Sequence, residues 1–131
     1  MKKPLRILSF FIFPAFVFFL SLFLSSAFNL YNVLWWFDIP MHFLGGVSVG
    51  YMSVLFLRFW KEENLIQIRS KFLFVLIVVC AVSFIAVLWE FWEYFMVNYF
   101  NLDWNLGYED SLFDLLMGML GGLSVGVFSK V

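Results

Sequence analysis

Residues 38–50 read DIPMHFLGGVSVG, a stretch that differs sharply from the bulky apolar sequence on either side of it. Asp38 and His42, the only histidine of the chain, stand about one helical turn apart and precede a run of small residues. The chain nearly repeats LGGVSVG as LGGLSVG at residues 120–126. An aspartate precedes the leucine of each copy by six residues, Asp38 in the first and Asp114 in the second. The stretch predicts a close-packed helical interface with acidic residues at its start.

The composition indicates that the chain lies in a lipid bilayer. Of its 131 residues, 64% are hydrophobic and 13% are charged, and a soluble domain of this length has too little interior to bury so much apolar surface. Four apolar runs reach the length of about 20 residues that a membrane-spanning helix needs. They cover roughly residues 7–29, 38–60, 72–97 and 110–128. The sequence therefore predicts an all-α membrane protein, a single transmembrane domain of four transmembrane helices.

The first apolar run allows two interpretations. It follows basic residues and ends among small residues, as a cleaved signal peptide does. Its apolar core is longer than the roughly 7–15 residues of a signal peptide, so we expect a retained helix. Pro14 lies inside this run and is expected to kink the helix, because proline lacks the N–H group that a helix interior uses.

The distribution of basic residues predicts the orientation of the chain. All 8 Lys and Arg residues fall in three segments, residues 2–6, residues 58–71 and Lys130. With four spans, these segments are the N-terminus, the second connection and the C-terminus, which share one side of the membrane. The positive-inside rule makes that side cytoplasmic. We therefore expect a multi-pass protein of the cytoplasmic (inner) membrane with both termini in the cytoplasm.

The repeated glycine pattern predicts where the helices pack. Small residues at every fourth position let helices approach closely where no hydrophobic effect drives their association. Gly46 and Gly50 of the second predicted helix, and Gly118 and Gly122 of the fourth, have this spacing. The similarity between the two glycine runs has two explanations: duplication, which would make the chain a tandem two-helix repeat in parallel orientation, or convergence of glycine stripes in apolar helices.

Six polar residues approach a common depth in three predicted helices, at the ends away from the basic segments. They are Asp38, His42, Glu90, Glu93, Asp110 and Asp114. An ionised carboxylate inside a membrane helix costs about 3 kcal/mol on insertion scales, and no Lys or Arg is near in sequence to pair with it. The carboxyl groups must therefore be protonated and share hydrogen bonds, face water, or bind a cation.

All six residues are candidate metal ligands, with Glu90, Asp114 and His42 as the candidate catalytic groups. Carboxylate-rich sites with an imidazole on bundle helices suit a divalent metal such as Mg, Mn, Fe or Zn. Each residue also has a structural interpretation: Asp38 and Asp110 could be helix N-caps, and His42 could be a hydrogen-bond partner only. Glu93 could lie in headgroup water.

Three motifs resemble those of the YjdF-like and VanZ-like small integral membrane proteins. They are Asp-x-x-x-His-Phe at residues 38–43, Trp-Glu-x-x-Glu at residues 89–93 and Asp-x-x-x-Asp-Leu at residues 110–115, with glycines following the last. The resemblance covers roughly residues 36–128 and implies a compact multi-helix membrane protein with an acidic, histidine-containing cluster. VanZ-like members are associated with glycopeptide resistance and the cell envelope. Glu93 stands where the VanZ-like pattern usually has glutamine, so the sequence is more similar to the YjdF-like type.

Two functions from different classes follow from these residues. The first is a metal-dependent membrane enzyme that acts on a lipid or lipid-linked substrate of the cell envelope. The second is a non-catalytic membrane protein, either a small-molecule or ion binder or an assembly factor, whose acids form a hydrogen-bonded structural clamp. A proton or cation path is disfavoured because the other half of the helices carries few polar residues. The net charge of −1 gives no reason to expect a nucleic-acid partner, and the oligomeric state stays open.

Overall fold

A computed structural model of the protein describes residues 3–28, 30–34, 36–100 and 107–131. This part of the chain is all-helical and consists of α1 (Lys3–Ser9), α2 (Ile12–Phe28), α3 (Leu30–Val33), α4 (Asp38–Glu62), α5 (Lys71–Phe100) and α6 (Tyr108–Phe128). Four stretches of it are long and apolar enough to cross a membrane: Lys3–Ser25, Asp38–Glu62, Lys71–Phe100 and Tyr108–Phe128. The predicted all-α fold with four spans is confirmed. Lys2 and Asn29, the predicted end of the first span, lie outside the described residues.

The first span is broken one turn before its proline. α1 ends at Ser9 and α2 begins at Ile12, and the N–H groups of Phe10 and Phe11 bond to carbonyls three residues back instead of four. Pro14 has no N–H group to donate to the carbonyl of Phe10, so the regular helical bond is missing at the break. The predicted kink is therefore found as a break at Phe10 and Phe11, one turn upstream of Pro14.

Glycines bring α4 and α6 into direct backbone contact. A Cβ atom at Gly46 would overlap the backbone carbonyl of Gly118, and one at Gly50 would lie 3.2 Å from Cα of Gly122. A Cβ at Gly121 would overlap backbone atoms of α4 in the same way. The two helices run in parallel, because Gly46 meets Gly118 and Gly50, one turn later in α4, meets Gly122, one turn later in α6. The predicted packing of the two glycine stripes is confirmed, and we call this contact the glycine seam.

α5 runs antiparallel to α4 and α6 and completes a three-helix core. Val82 of α5 covers Gly122 on one side of the glycine seam. Towards the start of α5, buried side chains of α4 and α5 form the main hydrophobic cluster, which consists of Val54, Leu57, Phe74 and Val78. The end of α4 therefore lies beside the start of α5. The second half of α5, which carries Glu90 and Glu93, consequently lies beside the starts of α4 and α6.

α2 is attached to this core mainly through aromatic rings. Phe10, just before α2, meets Phe56 of α4 edge to face, with ring centroids 5.2 Å apart. Phe18, further along α2, meets Trp89 of α5 in the same geometry at 5.5 Å. α2 thus runs antiparallel to α4 and approaches the acidic end of the core with its second half.

The basic residues meet at the opposite end of the bundle. Arg6 donates to Glu62 at 2.5 Å and ties α1 to the end of α4. The Lys71 ammonium donates to the backbone carbonyls of Gly126 and Ser129, which are groups that a helix leaves without partners at its C-terminus. The bundle therefore has a basic end and, at the starts of α4 and α6, an acidic end.

Candidate functional site

The two helices that carry aspartates at the acidic end begin without a side-chain cap. The N-cap residue of α4 is Phe37, which makes Asp38 the first helical residue. Pro40 falls in the first turn of this helix, where a missing N–H group costs little. The N-cap residue of α6 is Gly107. The interpretation of Asp38 and Asp110 as N-cap residues is therefore wrong, because both aspartates lie inside their helices, after the N-cap residue.

His42 lies between two aspartates that come from different helices. Its Nε2 atom is 3.2 Å from Oδ1 of Asp38, one turn earlier on α4, and 3.7 Å from Oδ2 of Asp114 on α6. The side chains of His42 and Asp114 are only 11% and 6% exposed. The contact between Gly46 and Gly118, one turn further along both helices, brings α4 and α6 close enough for Asp114 to reach His42.

One oxygen of this group has no hydrogen-bond donor among the residues that the structure describes. Oδ1 of Asp38 is buried, and within the described part of the chain no donor meets it with hydrogen-bond geometry, although Nε2 of His42 is 3.2 Å away. A buried acceptor left in this state costs about 1–3 kcal/mol. A cation or a proton bound to this oxygen would remove that cost.

α5 brings two glutamates to the same histidine. Glu90 and Glu93 are three residues apart and share a helix face. One carboxylate oxygen of each glutamate and one ring nitrogen of His42 lie within 4.8 Å of one another. Asp38, His42 and Asp114 form a second set with the same property. His42 belongs to both sets, so α4, α5 and α6 together build an acid–histidine cluster of Asp38, His42, Glu90, Glu93 and Asp114.

Asp110 is the sequence-predicted site residue that neither set includes. It lies one turn before Asp114, in the first turn of α6. The structure therefore brings five of the six predicted residues together around one imidazole and leaves Asp110 beside them on α6.

The dimensions and donor atoms of the acid–histidine cluster suit a divalent cation. Ligand atoms on opposite sides of an octahedral Mg ion lie about 4.2 Å apart, twice a bond length of about 2.1 Å, whereas those of a tetrahedral Zn ion lie about 3.4 Å apart. Within each three-residue set the ligand atoms lie within 4.8 Å of one another. Nε2 of His42 is already 3.2 Å from Asp38 and 3.7 Å from Asp114, so modest side-chain movements would close this set around such an ion. Imidazole and carboxylate ligands together favour Zn, Mn or Fe. The Lys and Arg residues of the chain belong to segments away from this end, so the carboxylates have no described cationic partner other than His42.

A cavity of about 380 Å³ lies beside His42, between α2 and the three-helix core. Its walls are mainly apolar and include Ala15 and Phe18 of α2, Gly45 of α4 and Trp89 of α5. This cavity was not predicted from the sequence. One feature of the sequence that could have indicated it is Gly45, a glycine that does not lie on the every-fourth-residue stripe of the glycine seam. In the structure a Cβ at Gly45 would meet no atom within 4 Å.

Comparison with known proteins identifies the family of the chain. A family model described as "Predicted membrane protein (DUF2238)" matches residues 2–131. Comparisons with curated proteins and with solved structures gave no match. The family match is consistent with the YjdF-like part of the resemblance, and it does not show the VanZ-like part. The chain therefore belongs to the DUF2238 family of membrane proteins.

Proposed function

We propose that the acid–histidine cluster binds a divalent metal ion and that the protein is a metal-dependent membrane enzyme acting on a lipid or lipid-linked substrate of the cell envelope. The observation that carries the proposal is the environment of one imidazole nitrogen. Nε2 of His42 faces the carboxylates of Asp38 and Asp114 from two helices, and the Asp38 oxygen nearest to it has no hydrogen-bond donor among the described residues. A metal ion between these groups would satisfy all of them at once.

The two sides of the acid–histidine cluster suit different roles. Asp38, His42 and Asp114 supply three ligands, and three protein ligands leave positions on the ion for water or a substrate oxygen. An ion held there would supply a Lewis acid towards a phosphoryl or carbonyl oxygen and towards water. Glu90 and Glu93 approach the same imidazole from α5, where one of them would serve as the general base. Glu90, Asp114 and His42 remain the proposed catalytic residues.

We also propose that the acid–histidine cluster lies in the outer half of the cytoplasmic membrane, with both termini in the cytoplasm. The support is the collection of basic residues at the opposite end of the bundle, which the positive-inside rule assigns to the cytoplasm. Two single-cysteine variants test the orientation, each made in a Cys80→Ser background. Tyr108→Cys places its thiol at the start of α6, and Ser129→Cys places its thiol just after the end of α6. In spheroplasts a membrane-impermeant maleimide should label the thiol at position 108 and not that at 129. The reverse labelling would contradict the orientation.

A metal titration tests the proposed site. Ligand at 100 times its dissociation constant stabilises a folded protein by about 2.7 kcal/mol, so chelator-treated protein should melt at a clearly higher temperature once Zn or Mn is restored. Glu90→Gln keeps the shape of the side chain and removes both a negative charge close to the proposed ion and a proposed proton acceptor, so it should weaken this stabilisation and abolish lipid turnover. Glu109→Gln, a change at an exposed acid outside both sets, is the matched control and should behave as the wild type.

A non-catalytic clamp is the second candidate, and it is favoured by the position of His42 within ion-pair distance of aspartates from two helices, at 3.2 Å from Asp38 and 3.7 Å from Asp114. In a clamp, protonated and ionised acids would hold α4, α5 and α6 together by hydrogen bonds without a metal. Glu90→Gln would then leave the melting temperature nearly unchanged, and metal would have no effect on the wild type. That pair of results would reject the enzyme and support the clamp.

A further inference from the structure

The cavity beside His42 has the size and shape of a binding site for an extended apolar group. Its volume of about 380 Å³ falls in the range of roughly 300–1,000 Å³ that is usual for small-molecule sites. Along the first span its lining runs from Phe11, just before α2, to Ser21 of α2, which corresponds to roughly 15 Å at 1.5 Å per residue. Because α2 is antiparallel to α4, the Ser21 end is the one near His42.

The described lining of the cavity is largely apolar, and its titratable group lies near one end. His42 is the single titratable residue among the described residues that line it. Ser48, which is buried, donates its hydroxyl to the carbonyl of Gly45 in its own helix. The remaining walls are formed largely by aromatic rings, aliphatic side chains and glycine backbone. A long apolar space that meets the acid–histidine cluster at one end matches a molecule with an apolar chain and a polar head.

The bilayer is the source from which such a molecule can enter. Phe19 of α2 lines the cavity and is also 65% exposed, so the space reaches the lipid-facing side of α2. Moving an alkyl chain from lipid into an apolar cavity exchanges one apolar environment for another and provides little affinity. The affinity must therefore come mainly from the polar head at the acid–histidine cluster, which selects an amphipathic occupant over a purely apolar one.

We infer that the cavity holds the alkyl chain of a single-chain lipid phosphate whose phosphate group binds at the acid–histidine cluster. This assignment rests on the proposed metal site, because only a bound cation makes a group of four carboxyl residues attractive to an anion. Phosphate oxygens are hard ligands that divalent cations prefer. The cavity thus specifies the substrate class of the proposed enzyme as a lipid with one chain in the space between α2 and α4.

Gly45 gives a direct way to fill the cavity. A Cβ at this position meets no atom within 4 Å, so Gly45→Leu adds a side chain to the empty space without disturbing the glycine seam. Leu44→Phe is the matched control, since the neighbouring Leu44 is 40% exposed and its side chain does not line the cavity. Ala15→Phe fills the same space from α2 and provides a second, independent variant.

Native mass spectrometry of detergent-solubilised protein tests the inference, because it resolves bound metal and bound lipid on the same molecule. The probe is 1-oleoyl lysophosphatidic acid, and glycerol 3-phosphate supplies the same head group without a chain. The wild type should bind one lipid per chain at least tenfold more tightly than Gly45→Leu or Ala15→Phe, and Leu44→Phe should stay within twofold of the wild type. Glycerol 3-phosphate should bind at least tenfold more weakly than the lipid.

The outcomes separate this inference from the proposed function. Metal-loaded wild type and Gly45→Leu with equal affinity for the lipid would overturn the chain site and leave the metal site standing. Glycerol 3-phosphate that binds as tightly as the lipid would also overturn it, since free phosphate would then be the ligand. A third outcome is that metal-free wild type binds the lipid and that Gly45→Leu abolishes this binding. That outcome would instead overturn the proposed metal site and the role of phosphate.

Discussion

Gly45 and Gly46 are adjacent in α4, yet the structure predicts opposite effects for the same substitution. Alanine at either position improves helix propensity by up to about 1 kcal/mol. A Cβ at Gly45 extends into open space, whereas one at Gly46 overlaps the backbone carbonyl of Gly118. Gly45→Ala should therefore be neutral or stabilising, and Gly46→Ala should destabilise the protein.

The difference in stability between the two variants can be estimated from the kind of atom that the added Cβ would contact. Overpacking a tight interface costs about 1–3 kcal/mol. Gly46→Ala belongs at the upper end, because the overlapping atom is a helix backbone carbonyl of Gly118 that can move only if α4 and α6 separate. The propensity gain is common to both variants and cancels. We expect the free energy of unfolding of Gly46→Ala to lie about 3 kcal/mol below that of Gly45→Ala.

Separation of α4 and α6 also has a consequence for the acid–histidine cluster. His42 and Asp114 lie one turn from the overlapping glycines and are 3.7 Å apart across the same interface. Gly46→Ala should widen this distance and reduce metal retention, while Gly45→Ala should retain metal as the wild type does.

Reversible unfolding in mixed dodecyl maltoside and SDS micelles, followed by circular dichroism, measures the free-energy difference between Gly45→Ala and Gly46→Ala. Equal stability of the two variants would refute the assignment of Gly46 to the glycine seam. Equal metal retention, with Gly46→Ala clearly destabilised, would refute the link between the seam and the acid–histidine cluster.

Three further predictions concern α6. Gly118→Ala should be tolerated, because its Cβ would make an ordinary 3.6 Å contact with Ala86. Gly121→Ala should lower the melting temperature, because its Cβ would overlap the α4 backbone. A lower melting temperature for Gly118→Ala than for Gly121→Ala would contradict the glycine seam. Lys71→Met removes two hydrogen bonds to the end of α6 and should cost about 1 kcal/mol, so an unchanged melting curve would count against that contact. Asp110→Asn should keep its metal, since Asp110 is outside both ligand sets, and loss of metal would place it among the ligands.

Much of the fold and of the acid–histidine cluster follows from residue spacing. Residues four apart share a helix face, so the stripe that continues from Asp38 and His42 through Gly46 predicts both the packing surface and the polar groups at its start. The absence of Lys and Arg near the acids in sequence leaves three states for the carboxyl groups: protonated with shared hydrogen bonds, facing water, or bound to a cation. These inferences depend on local geometry, which the sequence encodes directly.

Other features depend on which surfaces meet and are not encoded by spacing. The sequence places Gly46 on the every-fourth-residue stripe and Gly45 off it, but only the structure shows that Gly46 contacts α6 and that Gly45 lines a cavity. Asp110 and Asp114 likewise belong to one stripe, but only Asp114 reaches His42 closely enough to share its ligand set. α2 carries no polar motif, so neither its position against α4 nor the cavity could be predicted.

Metal content tests the central claim of a metal-binding acid–histidine cluster most directly. Protein purified in mild detergent without chelator would be analysed by inductively coupled plasma mass spectrometry, together with His42→Ala and the control Glu109→Gln. We expect near-stoichiometric Zn, Mn, Fe or Mg in the wild type and in Glu109→Gln, and loss of that metal in His42→Ala, because His42 belongs to both ligand sets. Folded wild-type protein that holds no metal even after incubation with these ions would contradict the claim.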